Sequence, residues 1–295
     1  MAFESRHIGK GRRGGGTMIR IMMMAAILIA FVLMMRKISG IQDGPLSDGN
    51  PVATSVLYYW PESPEPVIQH STFTLSYHED HEQARWVAYI LTRDELNRKY
   101  VERSDWFEKD KAVVTGSADF YDYKGSGYTK GHLVPSADRA WNRKVNEETF
   151  LMSNISPQTY HFNGGVWREL EENVRDWARK NERLFIVTGP VIGNSRETIG
   201  QNKVTVPEAF FKVLLDLDEP GMKAIGFLIP NEKTDRPLAD FARSVDDIEK
   251  LTGIDFYDLL LTDDDLESQL ESSTDMTLWP VDQRRYEQRV NEWNK

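Results

Sequence analysis

The chain has no cysteine among its 295 residues, and this absence constrains it more than any other feature. Without thiols there are no disulfides to staple a loop-rich fold, no thiolate zinc site, no iron-sulfur cluster and no cysteine nucleophile. The fold must rest on a hydrophobic core, for which 40% hydrophobic and 11% aromatic residues suffice. Its length suits one large domain or two ordinary ones. Any metal must sit on oxygen or imidazole ligands. The formal charge of -10 excludes a protein that coats nucleic acid generally, so a polyanionic substrate has to be met locally.

Residues 21–35 form an unbroken apolar run, which Met18 and Ile19 extend past Arg20. The long Arg20 side chain can snorkel to an interface. Arg6, Lys10, Arg12, Arg13 and Arg20 precede the centre of the run, against Arg36 and Lys37 after it. The positive-inside rule then puts the leading residues in the cytoplasm and the bulk of the chain outside, periplasmic or extracellular. The expected organisation is a basic leader (1–17), a transmembrane anchor (18–37) and a Gly- and Pro-rich linker (38–68). A catalytic-sized domain (69–270) follows, then a solvated acidic and polar extension (271–295). A cleaved signal peptide is the rival to the anchor, and would make the protein secreted. Beyond residue 44, 29 basic and 44 acidic residues leave the external part near -15.

Within that part the pattern predicts a strand at 71–76, an edge element at 82–91 whose periodicity fits helix or strand, and buried strands at 184–188, 210–217 and 224–229. Gly125 and Gly127 read as a turn that delivers His132 onto a strand. A helix is expected from Asn163, a good N-cap, to about residue 180, with Val166, Leu170, Val174 and Trp177 at helical spacing. A terminal helix and strand are expected over 244–261. Strands and helices without regular alternation predict an α+β domain with a central, largely antiparallel sheet flanked by helices.

Six histidines limit the chemistry. His78 and His81 have a spacing that can hold a metal on a helix face but lack a third nearby ligand, and otherwise read as a polar helix start. His132 stands upstream of Asn154, Asn163 and Glu171, a set that suits phosphodiester hydrolysis. That reaction needs a base for water, a divalent cation to neutralise the phosphate and a cation for the developing charge. A neutral imidazole supplies the first, and an amide oxygen can hold a largely hydrated Mg²⁺. On a continuous helix Asn163 and Glu171 would be about 12 Å apart along the axis and roughly 80° around it, too far to share an inner shell easily. Spacing alone is equally that of an N-cap asparagine and a surface glutamate.

The residues around these resemble the DNA/RNA non-specific endonucleases of the ββα-metal superfamily. The resemblance is carried by Thr129, Lys130, Gly131, His132, Leu133, Val134, Pro135, Ser136, Ala137 and Asp138, and by Ser153, Asn154, Ile155, Ser156, Pro157 and Gln158. Phe162 and Asn163, Trp167, Leu170 and Glu171 continue it, as do Gly189 and Pro190, Val206 and Pro207, Lys212, and Pro230 and Asn231. It spans roughly residues 70–262. It implies a ββα-metal fold in which His132 is the general base and Asn163 the protein ligand of one Mg²⁺, or of Mn²⁺ or a similar ion. Glu171 would bind or orient a water on that ion, and Asn154 would support the histidine or the phosphate side. Arg103, with Arg98 as rival, would stabilise the transition state, and Lys130 would face the substrate phosphate.

Two positions depart from the family signature: its Asp is Thr129 and its Arg is Lys130. A carboxylate that would fix neighbouring groups is lost, and the cation becomes a point charge without a bidentate fork. Residues 124–180 hold nine basic and seven acidic side chains, enough for a groove that contacts a few phosphates. The expected partners are DNA and RNA without sequence specificity, a membrane through the anchor, and a second copy of the chain as a homodimer. The alternatives are a catalytically weakened nucleic-acid-binding protein of the same fold, and a metal hydrolase of another phosphodiester or extracellular polymer.

Overall fold

The computed structural model describes residues 60–218, 221–258 and 264–295. The apolar run and expected anchor lie outside the described residues, as do the leader and most of the linker. Among the described residues no helix is long and apolar enough to cross a membrane. All of them belong to one compact unit, residues 51–295.

Apart from a short hairpin of Thr198–Ile199 and Val204–Thr205, the strands are β1 (Val67–Gln69), β2 (Thr74–His78), β3 (Gln83–Thr92), β4 (Thr129–His132), β5 (Ile155–Gln158), β6 (Arg183–Val191), β7 (Ala209–Asp216), β8 (Lys223–Pro230) and β9 (Ala242–Arg243). Seven of them form one sheet in the order β1-β2-β3-β6-β7-β8-β9, antiparallel at every pairing. The helices used below are α1 (Arg143–Glu148), α2 (Arg168–Asn181), α3 (Val245–Thr252), α4 (Asp264–Glu271) and α5 (Gln283–Gln288).

Side chains alternate across the sheet, and both faces are covered. On one face Val87, Tyr89, Ile186, Phe210, Leu214 and Phe227 pack against Leu170, Val174 and Trp177 of α2. On the other, Trp86, Val187, Phe211, Val213 and Leu215 pack against Val245 and Ile248 of α3 and Leu270 of α4. Double coverage explains why β7 reads as an almost continuous apolar run rather than an alternating one. β4 and β5 form a separate antiparallel ribbon, with Thr129 opposite Gln158 and His132 opposite Ile155.

The α+β expectation holds, and the ambiguous 82–91 segment is strand β3, paired on both sides. The first expected strand is shifted: β1 ends at Gln69, a turn in which the His70 N–H donates to the Phe73 carbonyl (2.8 Å) intervenes, and β2 starts at Thr74. The helix expected from Asn163 does not begin there. Phe162–Trp167 is a wide π-type turn broken at Gly165 (φ -106°, ψ -108°), and regular helix starts at Arg168. Gly165 is required by close approach, because a Cβ there would stand 2.7 Å from Asn294 Oδ1. No strand follows α3 over residues 253–258; Gly253 closes the helix in the left-handed region (φ 65°) and irregular chain follows.

The 271–295 segment is not a solvated extension. Trp279 is fully buried, meets Trp177 edge-on at 5.3 Å, and belongs to the main core. Arg289 is buried too, paired with Glu169 of α2. The buried indole, the Arg289–Glu169 pair and the Arg285 ion pairs together tie the tail to α2. Trp279→Ala is expected to destabilise the protein by about 3–5 kcal/mol, measured as a lower urea midpoint at unchanged m-value.

Candidate active site

β4 carries its histidine away from a glycine turn. Gly125 and Gly127 take φ of 72° and 86°, the region that glycine enters without steric cost. Gly131 lies flat against Gln158, where a Cβ would come within 2.1 Å of that side chain. The chain after His132 is held by Asn154. Its Oδ1 accepts the Val134 N–H (2.9 Å), and its Nδ2 donates to the carbonyls of Val134 (3.1 Å) and Thr149 (2.8 Å). Asn154 is fully buried and is not among the residues lining the cleft. Every polar atom of its side chain is bonded to backbone, so Asn154 is a positioning residue that holds the chain after His132 rather than a group that reaches the cleft.

An open cleft of about 770 Å³ gathers the other six positions, Arg103, Thr129, Lys130, His132, Asn163 and Glu171. Arg98, the rival to Arg103, is stacked over Trp141 at 4.7 Å and is absent from the lining. The Arg103 guanidinium lies 5.3 Å over Phe150, whose ring meets His132 edge-on at 4.7 Å. His132 Nε2 is out of water with no hydrogen-bond partner. Burial, and then the Arg103 charge, hold its pKa down to about 3, so the imidazole is neutral and able to accept a proton near pH 7. Lys130 places its Nζ 4.6 Å from the Phe120 ring and 5.2 Å from Phe107, and partial burial lowers its pKa.

Asn163 stands across the cleft on the π-type turn. Its Nδ2 donates to Thr129 Oγ1 (2.9 Å), and that hydroxyl donates to the Gln158 carbonyl (2.9 Å). Thr129, in place of the family's carboxylate, thus ties the two halves of the site together. The bond occupies the amide nitrogen and leaves Oδ1 as the hard donor at the cleft wall. Because the helix is broken at Gly165, the straight-helix separation between Asn163 and Glu171 does not apply, and both side chains line the same cleft.

Glu171 is backed by buried charges. Burial pushes its carboxyl pKa up, and Arg175 and Lys212 pull against that shift. Arg175 is bonded to Asp138 (3.0 Å), which also accepts the Tyr89 hydroxyl (3.0 Å). Lys212 is fully buried between the rings of Trp167 (5.1 Å) and Tyr89 (5.7 Å), and burial lowers its pKa. An amide oxygen with one backed carboxylate fits a hard divalent ion that keeps most of its waters. Among the described residues no trio of His, Asp or Glu converges at this cleft, and the oxygen donors facing it near His132 include the Asn163 amide and the Glu171 carboxylate.

The cleft contains residues that the sequence did not single out. Arg168, Glu172 and Arg175 line it beside Glu171; their spacing of three, four and seven puts them on one face of α2, a signal available in the sequence. Trp293 and Lys295, also in the lining, come from the tail, and Trp293 stacks under the Arg168 guanidinium at 4.0 Å. No local signal could have placed them. In all, five basic and three acidic side chains line the cleft. His78 and His81 sit on a 3₁₀ turn with rings 4.3 Å apart, and His81 Nδ1 is bonded to Thr205 (3.0 Å), so the pair forms a polar turn rather than a helix start.

A chain of the crystallised EndoG/EndoGI complex superposes with a TM-score of 0.66 and 26% identity over 73% of this chain and 94% of that one. The fold is therefore that of an endonuclease G-like α+β protein. The profile of the DNA/RNA non-specific endonuclease family matches residues 58–263. A nuclease of Nostoc sp. is 33% identical over 77% of this chain and 84% of its own length. Mitochondrial endonuclease G of Bos taurus is 32% identical over 65% and 69%, and nuclease C1 of Cunninghamella echinulata 28% over 72% and 90%. The chain belongs to the DNA/RNA non-specific endonuclease family, and by that membership it is an endonuclease.

The buried imidazole gives a direct check. In an NMR titration His132 is expected to protonate near pH 3 rather than near 6.5. Arg103→Gln, which removes a repelling positive charge, should raise that midpoint.

Proposed function

We propose that the protein is a metal-dependent, sugar-non-specific endonuclease that hydrolyses DNA and RNA phosphodiester bonds, with His132 as general base and a single Mg²⁺ or similar divalent ion held by Asn163. The observation that carries this reading is the meeting of a neutral, desolvated imidazole and a braced amide oxygen in one cleft, from residues 31 positions apart. When bound, the ion neutralises phosphate charge and stabilises the leaving oxygen.

His132 takes the proton of the attacking water as its oxygen bonds to phosphorus. The P–O3′ bond breaks, the leaving oxygen is protonated from solvent, and a 5′-phosphate remains. Arg103 meets the charge that develops on the phosphoryl oxygens. Lys130 supports the phosphate as a point charge, with the aromatic rings beneath it limiting its hydration. Glu171, acted on by Arg175 and Lys212, would orient a water toward a bound ion. The open cleft presents side chains suited to phosphates and no element shaped for base edges, which supports cutting without sequence preference. The charge asymmetry about residues 21–35 extends the proposal to an anchored domain on the extracytoplasmic side of a membrane.

A plasmid-nicking assay tests the reading. Cleavage is expected with Mg²⁺ or Mn²⁺ and not with EDTA, and His132→Ala should lower the rate by about 10² to 10⁴-fold. Absence of metal-dependent cleavage, with His132→Ala binding DNA as tightly as the unmodified chain, would instead identify a weakened nucleic-acid-binding protein. Thr129→Val removes the hydroxyl that braces Asn163 and is expected to raise the Mg²⁺ concentration for half-maximal cleavage about 10 to 100-fold. An unchanged requirement would show that the brace does not matter.

A further inference from the structure

The sheet face opposite the catalytic cleft carries a concentration of acid that hydrolysis does not use. Residues 245–271 contain ten acidic side chains against Lys250 alone. Asp246 and Glu249 on α3 and Glu271 at the end of α4 bring one carboxylate oxygen each within 4.8 Å of one another. Oxygens on a common Ca²⁺, at 2.3–2.6 Å from the ion, can be about that far apart.

Glu271 provides an independent sign. It is only 5% exposed, and its Oε1 is out of water with no hydrogen-bond partner. A buried, unpartnered carboxylate oxygen is costly unless a cation or a proton meets it. No such relief comes from its neighbours: after desolvation, the groups acting most strongly on Glu271 are Glu249, Glu267, Asp255 and Asp246, all carboxylates. The nearby Tyr257 hydroxyl is directed to the Phe185 carbonyl (3.4 Å). Glu249 keeps one oxygen on the Phe256 N–H (2.8 Å), which fixes its rotamer at the cluster. Asp246 is exposed, so water can complete a coordination shell from that side.

We propose that Asp246, Glu249 and Glu271 form a calcium site that pins α4 to α3 across the back of the sheet, separate from the catalytic ion. The donor set is all carboxylate and shared between two helices, which suits the flexible, oxygen-rich shell of Ca²⁺ better than the strict octahedron of Mg²⁺. Binding would cancel the mutual repulsion and fasten Leu270 onto the core that it shares with Ile248. Its function is structural, and it does not depend on the hydrolytic reading.

The test is a calorimetric Ca²⁺ titration of the full, metal-stripped chain, with thermal unfolding in parallel. At this site one Ca²⁺ is expected to bind both the unmodified chain and Asn163→Ala, which lacks the catalytic ligand, and to be lost in the double variant, Glu249→Gln/Glu271→Gln built on Asn163→Ala. At 10 mM Ca²⁺ the melting temperature should rise by about 3–10 °C in the first two and not in the third, for a site of roughly 0.1–1 mM affinity. Asp246→Asn, at an exposed position, should fold normally and weaken Ca²⁺ binding about tenfold or more. The proposal is overturned if no Ca²⁺ uptake survives in Asn163→Ala, if uptake persists in the double variant, or if Asp246→Asn binds like the unmodified chain.

Discussion

The hydrogen bond from the Asn163 amide to the Thr129 hydroxyl joins two segments 34 residues apart, and the geometry of the cleft depends on it. On one side is the strand that ends at His132; on the other is a glycine-rich turn too irregular to hold a side chain by helical regularity. Thr129 is itself held by the Gln158 carbonyl, so the brace runs through the β4–β5 ribbon into the core. A neutral hydroxyl performs here the orienting task that the family signature assigns to a carboxylate. It adds no negative charge beside the amide oxygen.

Electrostatics shape the rest of the site. The chain beyond residue 44 is strongly acidic, yet the cleft has more cations than anions in its lining. This lets a polyanion approach locally without general attraction to the surface. Burial makes the imidazole a neutral acceptor, and burial also pushes the Glu171 pKa up, an effect that Arg175 and Lys212 oppose only in part. The Asp138, Arg175 and Tyr89 bonds are therefore part of the site as much as of the core.

The doubly covered sheet separates two chemistries. One face packs against α2, whose Glu171 and Arg175 line the cleft; the other receives α3, α4 and their carboxylates. The tail crosses back to the first face, where Trp279 and Arg289 anchor it and Trp293 reaches the cleft wall. A segment that is polar in composition thus completes both the core and the site.

By itself the sequence determined the α+β class and the buried strands near 184–188, 210–217 and 224–229, because continuous apolar runs are local signals. Spacing left Asn163 and Glu171 open between a site and an ordinary helix, and the motif resemblance around His132 singled them out. Arg168, Glu172 and Arg175 were also within reach, through their shared face on α2. Only the tertiary structure decided that Asn163 lies on a broken turn rather than at a helix cap: the chain leaves helical geometry at Gly165, against which Asn294, 129 residues later, packs. Only it turned the tail inward, removed Asn154 from the cleft, and brought Glu249 to Glu271. Each of these depends on surfaces that meet through packing, and sequence periodicity reports which face is apolar without reporting what will cover it.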